Sequence, residues 1–184
     1  MKDERIICAG FGGQGIMILG KLIAYSVMEK HYNVTWMPSY GAEVRGGTAN
    51  CMVVVSDREI ASPIISYCDT AILLNKPSLD KFHTKISSKG FNVGRKGLIL
   101  LNSSLIETDI KRKDIDILKL PMTEIAHEFG NVRAANMVAL GAYMKRRCLF
   151  TKESVVNGIR IAFANNKEVI DLNIKALNKG EALA

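Results

Sequence analysis

The sequence predicts an α/β protein with a Rossmann-like arrangement, in which a mainly parallel sheet carries helices on both faces and the C-terminal part is helical. Short runs rich in aliphatic and β-branched residues alternate with longer segments of helical periodicity as far as Pro121. Some of these runs, such as Ile72 to Leu74, place apolar side chains on both faces of a strand, as buried parallel strands do. Beyond Pro121 only helical patterns follow.

Each element has its own local pattern. Six strands are expected, at residues 5–9, 32–37, 50–55, 70–74, 98–101 and 115–120. The first helix is expected at residues 13–30, where apolar side chains form one stripe and others lie beside it, so it is expected to be covered on more than one side. Later helices are expected at residues 77–87, 122–129, 133–147, 151–165 and 167–184. The last of them is amphipathic and is expected to fray or to dock on a partner.

The length of 184 residues predicts one domain spanning residues 1–184, since single domains most often contain roughly 100 to 200 residues. No run approaches the roughly 18 apolar residues that a membrane span requires. The charged start, MKDERI, lacks the apolar stretch of a signal peptide. We therefore expect no membrane span and a cytoplasmic location.

The net charge of +7 permits an acidic partner, but the basic residues are scattered in small groups such as residues 111–113 and 145–147. No aromatic residues are interleaved with them, so we expect solvated surface and no nucleic-acid partner. The four cysteines, Cys8, Cys51, Cys68 and Cys148, lie far apart, without the spacing of a metal site. They are expected to be small buried side chains, with no metal or iron-sulfur cluster bound by this chain.

The glycine-rich run GFGGQG, residues 10–15, lies between the first strand and the first helix and satisfies G-x-G-x-x-G. Such a loop allows a tight turn and presents free backbone N–H groups to an anion. A dinucleotide enzyme also needs an acidic residue at the end of the second strand, and this chain has TWMPSYG there. NAD or FAD binding is therefore disfavoured. We expect the loop either to bind another anion or to serve in packing.

A second loop, within residues 37–56 (MPSYGAEVRGGTANCMVVVS), follows the second strand. Pro38 and Gly41 break the strand, and Glu43 and Arg45 place opposite charges two residues apart. Open α/β sheets bind ligands at the carboxyl ends of their strands, which is where this loop is expected to lie. A polar turn with a local ion pair is the alternative.

Several stretches in this order resemble the gamma subunit of the 2-oxoacid:ferredoxin oxidoreductases: GFGGQGIMILGKLIA, TWMPSYGAEVRGGTANCMVVVSDREIASPI, DTAILLNKPSLDKF and LPMTEIAHEFGNVRAANMVALGAY. The resemblance is close over residues 5–82 and continues at 120–143. The form PSYGAEVRGG is more similar to the 2-oxoglutarate and branched-chain types than to the pyruvate type. We therefore expect the 2-oxoglutarate type, with branched-chain 2-oxoacids or pyruvate as alternative substrates.

The resemblance implies a heteromeric enzyme that converts a 2-oxoacid and coenzyme A (CoA) to an acyl-CoA and CO2 and passes two electrons to ferredoxin or a similar acceptor. It implies alpha, beta and delta subunits as partners, with thiamine diphosphate, magnesium and iron-sulfur clusters held in those subunits. This chain has no clustered cysteines and no GDG-type segment followed by an Asn that would hold a metal diphosphate. The isolated chain is therefore expected to be inactive, with no catalytic residue of its own.

The residues expected to face CoA or substrate come from two loops and a strand end. They are Gly12, Gly13, Gln14, Ser39, Tyr40, Glu43, Arg45, Gly46, Gly47 and Asn75. Backbone N–H groups and the Arg45 guanidinium suit a phosphate or carboxylate. Subunit docking is the alternative role for the two loops, and helix capping is the alternative for Asn75. Asn136, inside a helix pattern, is expected to make a polar contact.

Two other classes remain open on the sequence alone. A stand-alone nucleotide-binding oxidoreductase would bind NAD, NADP or FAD tightly, which the missing acid disfavours. A basic nucleic-acid-binding domain would lose affinity steeply with salt, and the scattered charge disfavours it. Whether the isolated chain is a monomer or a homodimer is left open.

Overall fold

The computed structural model of the protein describes residues 3–39, 48–89 and 95–184. Within these ranges the strands are β1 (Glu4–Gly10), β2 (Asn33–Ser39), β3 (Ala49–Ser56), β4 (Thr70–Leu73), β5 (Leu98–Asn102) and β6 (Asp116–Leu120). The helices are α1 (Ile16–Met28), α2 (Lys76–Phe82), α3 (Met122–Glu128), α4 (Ala135–Arg147), α5 (Lys152–Ala162) and α6 (Lys167–Ala182). Every predicted strand and helix is therefore confirmed, with bounds that differ by a few residues.

The strands form one six-stranded sheet in the order β2-β3-β1-β4-β5-β6. β1, β4, β5 and β6 run parallel to one another, which confirms the mainly parallel sheet. β3 is antiparallel to both β1 and β2 and lies between them, a feature that the sequence patterns did not predict. Because β1 and β2 each pair antiparallel with β3, they point the same way, and their carboxyl ends lie at the same edge.

Helices cover both faces of the sheet, as predicted, but unequally. Side chains alternate between the faces along each strand. On one face Ile6, Cys8 and Ile72 pack in a core that includes residues of α1, α3, α4, α5 and α6. On the other face Ile7 and Leu73 pack against α2 and irregular segments. Among the described residues, no helix is both long enough and apolar enough to cross a bilayer.

Helix α6 packs against α4 with almost no space between their backbones. A Cβ atom placed on Gly141 of α4 would lie 2.0 Å from the Leu177 carbonyl oxygen, and one on Gly180 of α6 would lie 2.0 Å from the Val138 carbonyl oxygen. The amphipathic last helix therefore packs through its buried side within this chain, which corrects the expectation that it frays, while docking of its exposed side on a partner stays a prediction.

Three of the four cysteines are buried, which confirms their prediction as core side chains: Cys8, Cys51 and Cys68. Burial raises the pKa of the Cys68 thiol to about 12, so this thiol stays protonated at neutral pH. The prediction was wrong for Cys148, which is exposed in a left-handed conformation after the last turn of α4.

A buried ion pair joins the start of β1 to the end of α4. Arg147 and Glu4 are only 5% and 2% exposed, and Arg147 Nε lies 3.0 Å from Glu4 Oε1. The guanidinium also donates to Thr70 Oγ1 and to the Asp69 carbonyl oxygen, each at 2.8 Å, and to the Lys96 carbonyl oxygen at 3.2 Å. The prediction that residues 145–147 are solvated is therefore wrong for Arg147, although Lys145 and Arg146 are exposed.

We expect the Glu4 carboxyl to make the stability of the protein fall as the pH rises. Burial raises the pKa of Glu4 from 4.5 to about 7, against the opposing effects of Arg147 and Thr70. Between these values the folded state holds the proton and the unfolded state has lost it, so the free energy of unfolding decreases with pH. Below pH 4.5 and above pH 7 this contribution is constant.

Urea unfolding of the wild type and of Glu4→Gln across this pH range tests the expectation, because the variant lacks the titrating group while other carboxyls are common to both. The wild type should lose stability relative to the variant as the pH rises. A gain relative to the variant would show that the attraction of Arg147 outweighs burial.

Candidate functional site

The candidate site lies at the sheet edge where the parallel strands end. Gly10, the last residue of β1, lies opposite Ala49 of β3, and Ser39, the last residue of β2, lies opposite Asn50. On the other side of β1, the Leu74 N–H donates to the Ala9 carbonyl oxygen at 2.9 Å, which brings the end of β4 to the same place. Three chain segments predicted to bind a ligand thus start from one edge.

The glycine loop is closed by Gln14. Its backbone N–H donates to the Phe11 carbonyl oxygen at 3.2 Å, and its Oε1 accepts from the Phe11 N–H at 2.6 Å. Gly13 and Gly15 have φ values of 90° and 71°, in the left-handed region that glycine adopts without strain. The Gln14 side chain therefore shapes the loop from within.

Two backbone donors of this loop remain available. Gly12 and Gly13 are exposed, and among the described residues no acceptor bonds to the N–H group of either. Free N–H groups between a strand end and a helix start are a recurrent anion-binding arrangement. The loop can therefore hold a phosphate or carboxylate through its backbone.

The predicted polar contact of Asn136 is made with this loop, which confirms the expectation for that residue. Asn136 is buried in the first turn of α4, and its Nδ2 donates to the Gly15 carbonyl oxygen at 3.0 Å. A Cβ atom on Gly15 would lie 2.2 Å from the same Nδ2 atom. The amide therefore fixes the start of α1 against α4 and leaves no room for a side chain at Gly15.

Gly15→Ala is expected to lower the free energy of unfolding by about 3 kcal/mol, because backbone strain of roughly 1 to 2 kcal/mol adds to a clash with Asn136. Gly13→Ala is the matched control, since Gly13 also has a positive φ but a Cβ there would meet nothing within 4 Å. The control should lose only the unfolding free energy that corresponds to the backbone strain. If urea unfolding shows equal losses of unfolding free energy for the two variants, the Asn136 side chain moves aside at no measurable cost.

Asn75 is predicted as a site residue, with helix capping as the alternative, and the oxygen and nitrogen atoms of its amide differ in their contacts. It is 0% exposed, lies two residues after the end of β4, and its Oδ1 accepts from the Ser78 N–H at 2.8 Å as the N-cap of α2. The capping alternative is therefore confirmed. Its Nδ2 is buried and has no hydrogen-bond partner within the described part of the chain, and the same holds for Ser78 Oγ. A buried polar atom without a hydrogen bond lowers the stability of the folded state. The Nδ2 group of Asn75, beside the glycine loop, is therefore a candidate to donate to a ligand.

Asn102, which was not among the predicted site residues, organises the next part of this edge. Asn102 ends β5, and its Nδ2 donates to the Leu74 carbonyl oxygen at 3.2 Å and to Thr123 Oγ1 at 2.8 Å. Its Oδ1 accepts from the Thr123 N–H at 3.2 Å. The signal was an Asn directly after the buried run LILL, the same context as Asn75 after AILL.

The predicted site residues divide into three groups. Gly12, Gly13, Gln14 and Asn75 lie together at the ends of β1 and β4. Ser39 is at the same edge, but β3 separates it from β1 by two strand spacings, or roughly 10 Å. The remaining residues lie outside the described part of the chain: Tyr40, Glu43, Arg45, Gly46 and Gly47.

The edge suits anion binding better than catalysis by its own side chains. Asn75, Asn102 and Thr123 contribute amide and hydroxyl groups, and the glycine loop contributes N–H donors. Among the described residues no three His, Cys, Asp or Glu side chains are placed to hold a metal ion. A dinucleotide site is disfavoured further, because β1 is flanked by the antiparallel β3 on the side away from β4, where a dinucleotide fold has a parallel strand that ends in an acid.

Comparison with known proteins adds an independent line of information. The family model for pyruvate ferredoxin/flavodoxin oxidoreductase matches residues 5–183. Subunit VorA of ketoisovalerate oxidoreductase from Methanothermobacter marburgensis is 34% identical over 180 residues, which cover 97% of this chain and 36% of VorA. The chain thus spans about a third of that relative. Subunit KorC of 2-oxoglutarate synthase from Methanocaldococcus jannaschii is 30% identical over 184 residues, covering 98% of this chain and 94% of KorC.

Two solved structures share the fold. The gamma subunit of a keto/oxoacid ferredoxin oxidoreductase from Geobacter sulfurreducens superposes with a TM-score of 0.78 at 25% identity, covering 98% of each chain. A 2-oxoglutarate:ferredoxin oxidoreductase from Magnetococcus marinus, solved with 2-oxoglutarate, coenzyme A and succinyl-CoA bound, gives a TM-score of 0.87 at 25% identity. All of this chain matches 31% of that longer one.

Proposed function

Since the chain belongs to the pyruvate ferredoxin/flavodoxin oxidoreductase family and is a gamma-type subunit of a 2-oxoacid:ferredoxin oxidoreductase, we propose that its complex acts on 2-oxoglutarate. The reaction converts 2-oxoglutarate, CoA and an oxidised acceptor to succinyl-CoA, CO2 and the acceptor reduced by two electrons. The observation that carries this choice is the match to KorC, which covers 94% of that separate subunit.

In this proposal residues 1–184 form one gamma-type domain that holds no redox centre. Thiamine diphosphate, magnesium and the iron-sulfur clusters belong to alpha, beta and delta subunits, and ferredoxin or a similar protein accepts the electrons. The glycine loop, with the available backbone N–H groups of Gly12 and Gly13, is suited to contact a ligand but carries no side chain that would take part in the chemistry. This subunit then positions ligand and partner.

We assign the CoA-facing role to the edge formed by the glycine loop and the loop after β2. The N–H groups of Gly12 and Gly13 suit a phosphate oxygen, and the Nδ2 of Asn75 offers another donor, since none of the three has an acceptor among the described residues. Arg45 would add a guanidinium that pairs with phosphate in a bidentate manner. Subunit docking by the same loop, with Glu43 and Arg45 paired across the interface, is the competing role.

Branched-chain 2-oxoacids are the second candidate substrates. They are favoured by the higher identity of 34% to the ketoisovalerate subunit VorA, against 30% for KorC. The two candidates differ in the charge of the side chain, since 2-oxoglutarate carries a second carboxylate and ketoisovalerate an apolar group. In this proposal the substrate pocket of the assembled enzyme selects between the two 2-oxoacids by this difference in side-chain charge.

Purification of the tagged chain from its own cell without oxygen tests the assignment. The expected result is co-purification with larger chains, the brown absorbance of iron-sulfur clusters, and viologen reduction that depends on CoA and is fastest with 2-oxoglutarate. Faster reduction with ketoisovalerate would replace the substrate with the branched-chain class. A colourless chain without partners would contradict the subunit assignment, and a nucleotide titration would then follow.

Arg45→Ala in the assembled enzyme tests the CoA-facing role. Loss of one charge-assisted phosphate contact is expected to raise the apparent KM for CoA about tenfold while the KM for the 2-oxoacid is unchanged. Arg160→Ala, which removes an exposed guanidinium on α5, is the matched control. An unchanged KM for CoA in an intact complex would exclude the role, and loss of assembly would indicate docking instead.

A further inference from the structure

A second polar concavity lies at the opposite edge of the sheet, where the parallel strands begin. It is a cavity of about 610 Å³ beside the starts of β5 and β6 and the last turn of α4. Its polar lining comes from Arg95, Lys96, Asp116, Lys145, Arg146 and Arg147. The strands run from this edge towards the glycine loop, so the two sites lie at opposite ends of the sheet.

The cavity brings together cations from distant parts of the sequence. Arg95 and Lys96 precede β5, whereas Lys145 and Arg146 end α4, and all four are exposed. Among the described residues, no carboxylate lies within ion-pair distance of Lys145 or Arg146. The negative end of a helix dipole explains cations in the last turn of α4, but it does not explain the convergence of Arg95 and Lys96 on the same space. The carboxylate of Asp116 in the same lining offsets part of the positive charge, and a bound anion would offset the repulsion that remains between the four cations.

The two walls of the cavity are tied to each other by hydrogen bonds. Arg147, which is buried, donates to the Lys96 carbonyl oxygen at 3.2 Å from both Nη atoms. Arg95 Nη1 donates in return to the Arg147 carbonyl oxygen at 2.9 Å. The backbone positions that carry the four exposed cations are therefore fixed before any ligand arrives, which lowers the entropic cost of binding.

We propose that this cavity binds a small phosphate-bearing molecule, recognised through its phosphate groups by Arg95, Lys96, Lys145 and Arg146. Its volume falls within the roughly 300 to 1,000 Å³ typical of small-molecule sites. Arginine and lysine are the usual partners of phosphate oxygens. Among the described residues that line it there is no aromatic ring on which a base could stack, so we assign recognition to the phosphates alone. A concave site fits a compact anion better than the convex surface of an acidic protein.

Titration of the full-length, 15N-labelled chain with inorganic pyrophosphate locates the site. Saturable shifts are expected for the backbone amides of Lys96 and Arg146. Shifts confined to Gly12 and Gly13, or the absence of saturation, would overturn the proposal. An acidic peptide of glutamates that binds the same amides more tightly than pyrophosphate would also overturn it, in favour of a protein partner.

Charge reversal measures the contribution of the cavity. Lys145→Glu combined with Arg146→Glu should weaken pyrophosphate binding, measured by calorimetry at about 0.15 M salt, about tenfold or more. Lys30→Glu combined with Lys167→Glu, an equal charge change at exposed positions elsewhere, should weaken it less than about twofold. Equal weakening in both double variants would mean non-specific attraction and would overturn the proposal. Lys145→Ala with Arg146→Ala gives the same test if the reversal lowers stability.

Discussion

Arg147→Met is expected to lower the free energy of unfolding by about 3 to 5 kcal/mol, the range for removing one partner of a buried ion pair. Methionine fills much of the same volume, but it cannot donate to Thr70 Oγ1 or to the Asp69 and Lys96 carbonyl oxygens. Glu4 is left buried without its cation. Uncompensated buried polar groups, rather than lost packing, account for the loss.

Urea unfolding at pH 7 measures this effect, with Arg146→Met as the neighbouring control. Arg146 is exposed, so its replacement should change stability by less than about 0.5 kcal/mol. Glu4→Gln combined with Arg147→Met should recover part of the loss, because the variant no longer buries a titrating carboxyl. A loss of under about 1 kcal/mol for Arg147→Met would mean that water replaces the guanidinium.

Gly180→Ala is expected to cost about 3 kcal/mol, at the upper end of the range for overpacking. The added methyl group would meet the Val138 carbonyl oxygen at 2.0 Å, and this atom belongs to the backbone of α4, which cannot rotate away as a side chain can. Helix α6 must therefore shift as a whole. As α6 shifts, its buried residues Asn173, Ala176 and Leu177 would lose part of their contact with α4.

Gly158→Ala in α5 is the matched control, since the nearest atoms to a Cβ there belong to the side chains of Leu22 and Tyr25, at 3.0 and 3.3 Å. Flexible side chains can move, and alanine favours the helix by roughly 1 kcal/mol over glycine, so this variant should be close to neutral or more stable. Thermal unfolding measures the stability of the two variants, and trypsin cleavage within α6 measures how firmly this helix is held. Gly180→Ala should lower the unfolding temperature and speed the cleavage, whereas Gly158→Ala should do neither. Equal behaviour of the two variants would contradict tight backbone contact between α4 and α6.

The strands and helices were predictable because their patterns are local. The run RIICA and the run LILL each identify a strand without reference to the rest of the chain. The antiparallel position of β3 was not predictable in this way, because it depends on which neighbour the strand chooses in space. The same reason explains Arg147, whose burial depends on a carboxylate at the other end of the sequence.

The candidate site was predictable where position after a strand decides the role. Asn75 and the glycine loop lie at the expected edge because the loop directly follows β1 and Asn75 lies two residues after the end of β4. Asn136 was recognised as an unusual residue for a helix interior, and its hydrogen bond to Gly15 explains it. The internal use of the Gln14 side chain could not be foreseen, because a side chain that folds back on its own loop looks the same in sequence as one that faces a ligand.

The position of Pro38 in the outermost strand limits how another chain can attach to this protein. β2 is an edge strand, and proline has no N–H group to offer to a further strand beside it. An extended segment that pairs with the outer side of β2, from a partner or from a second copy of the chain, therefore lacks the hydrogen bond at Pro38. The missing donor disfavours the unselective strand addition that leads to aggregation, and it favours partners that cover β2 through side-chain packing.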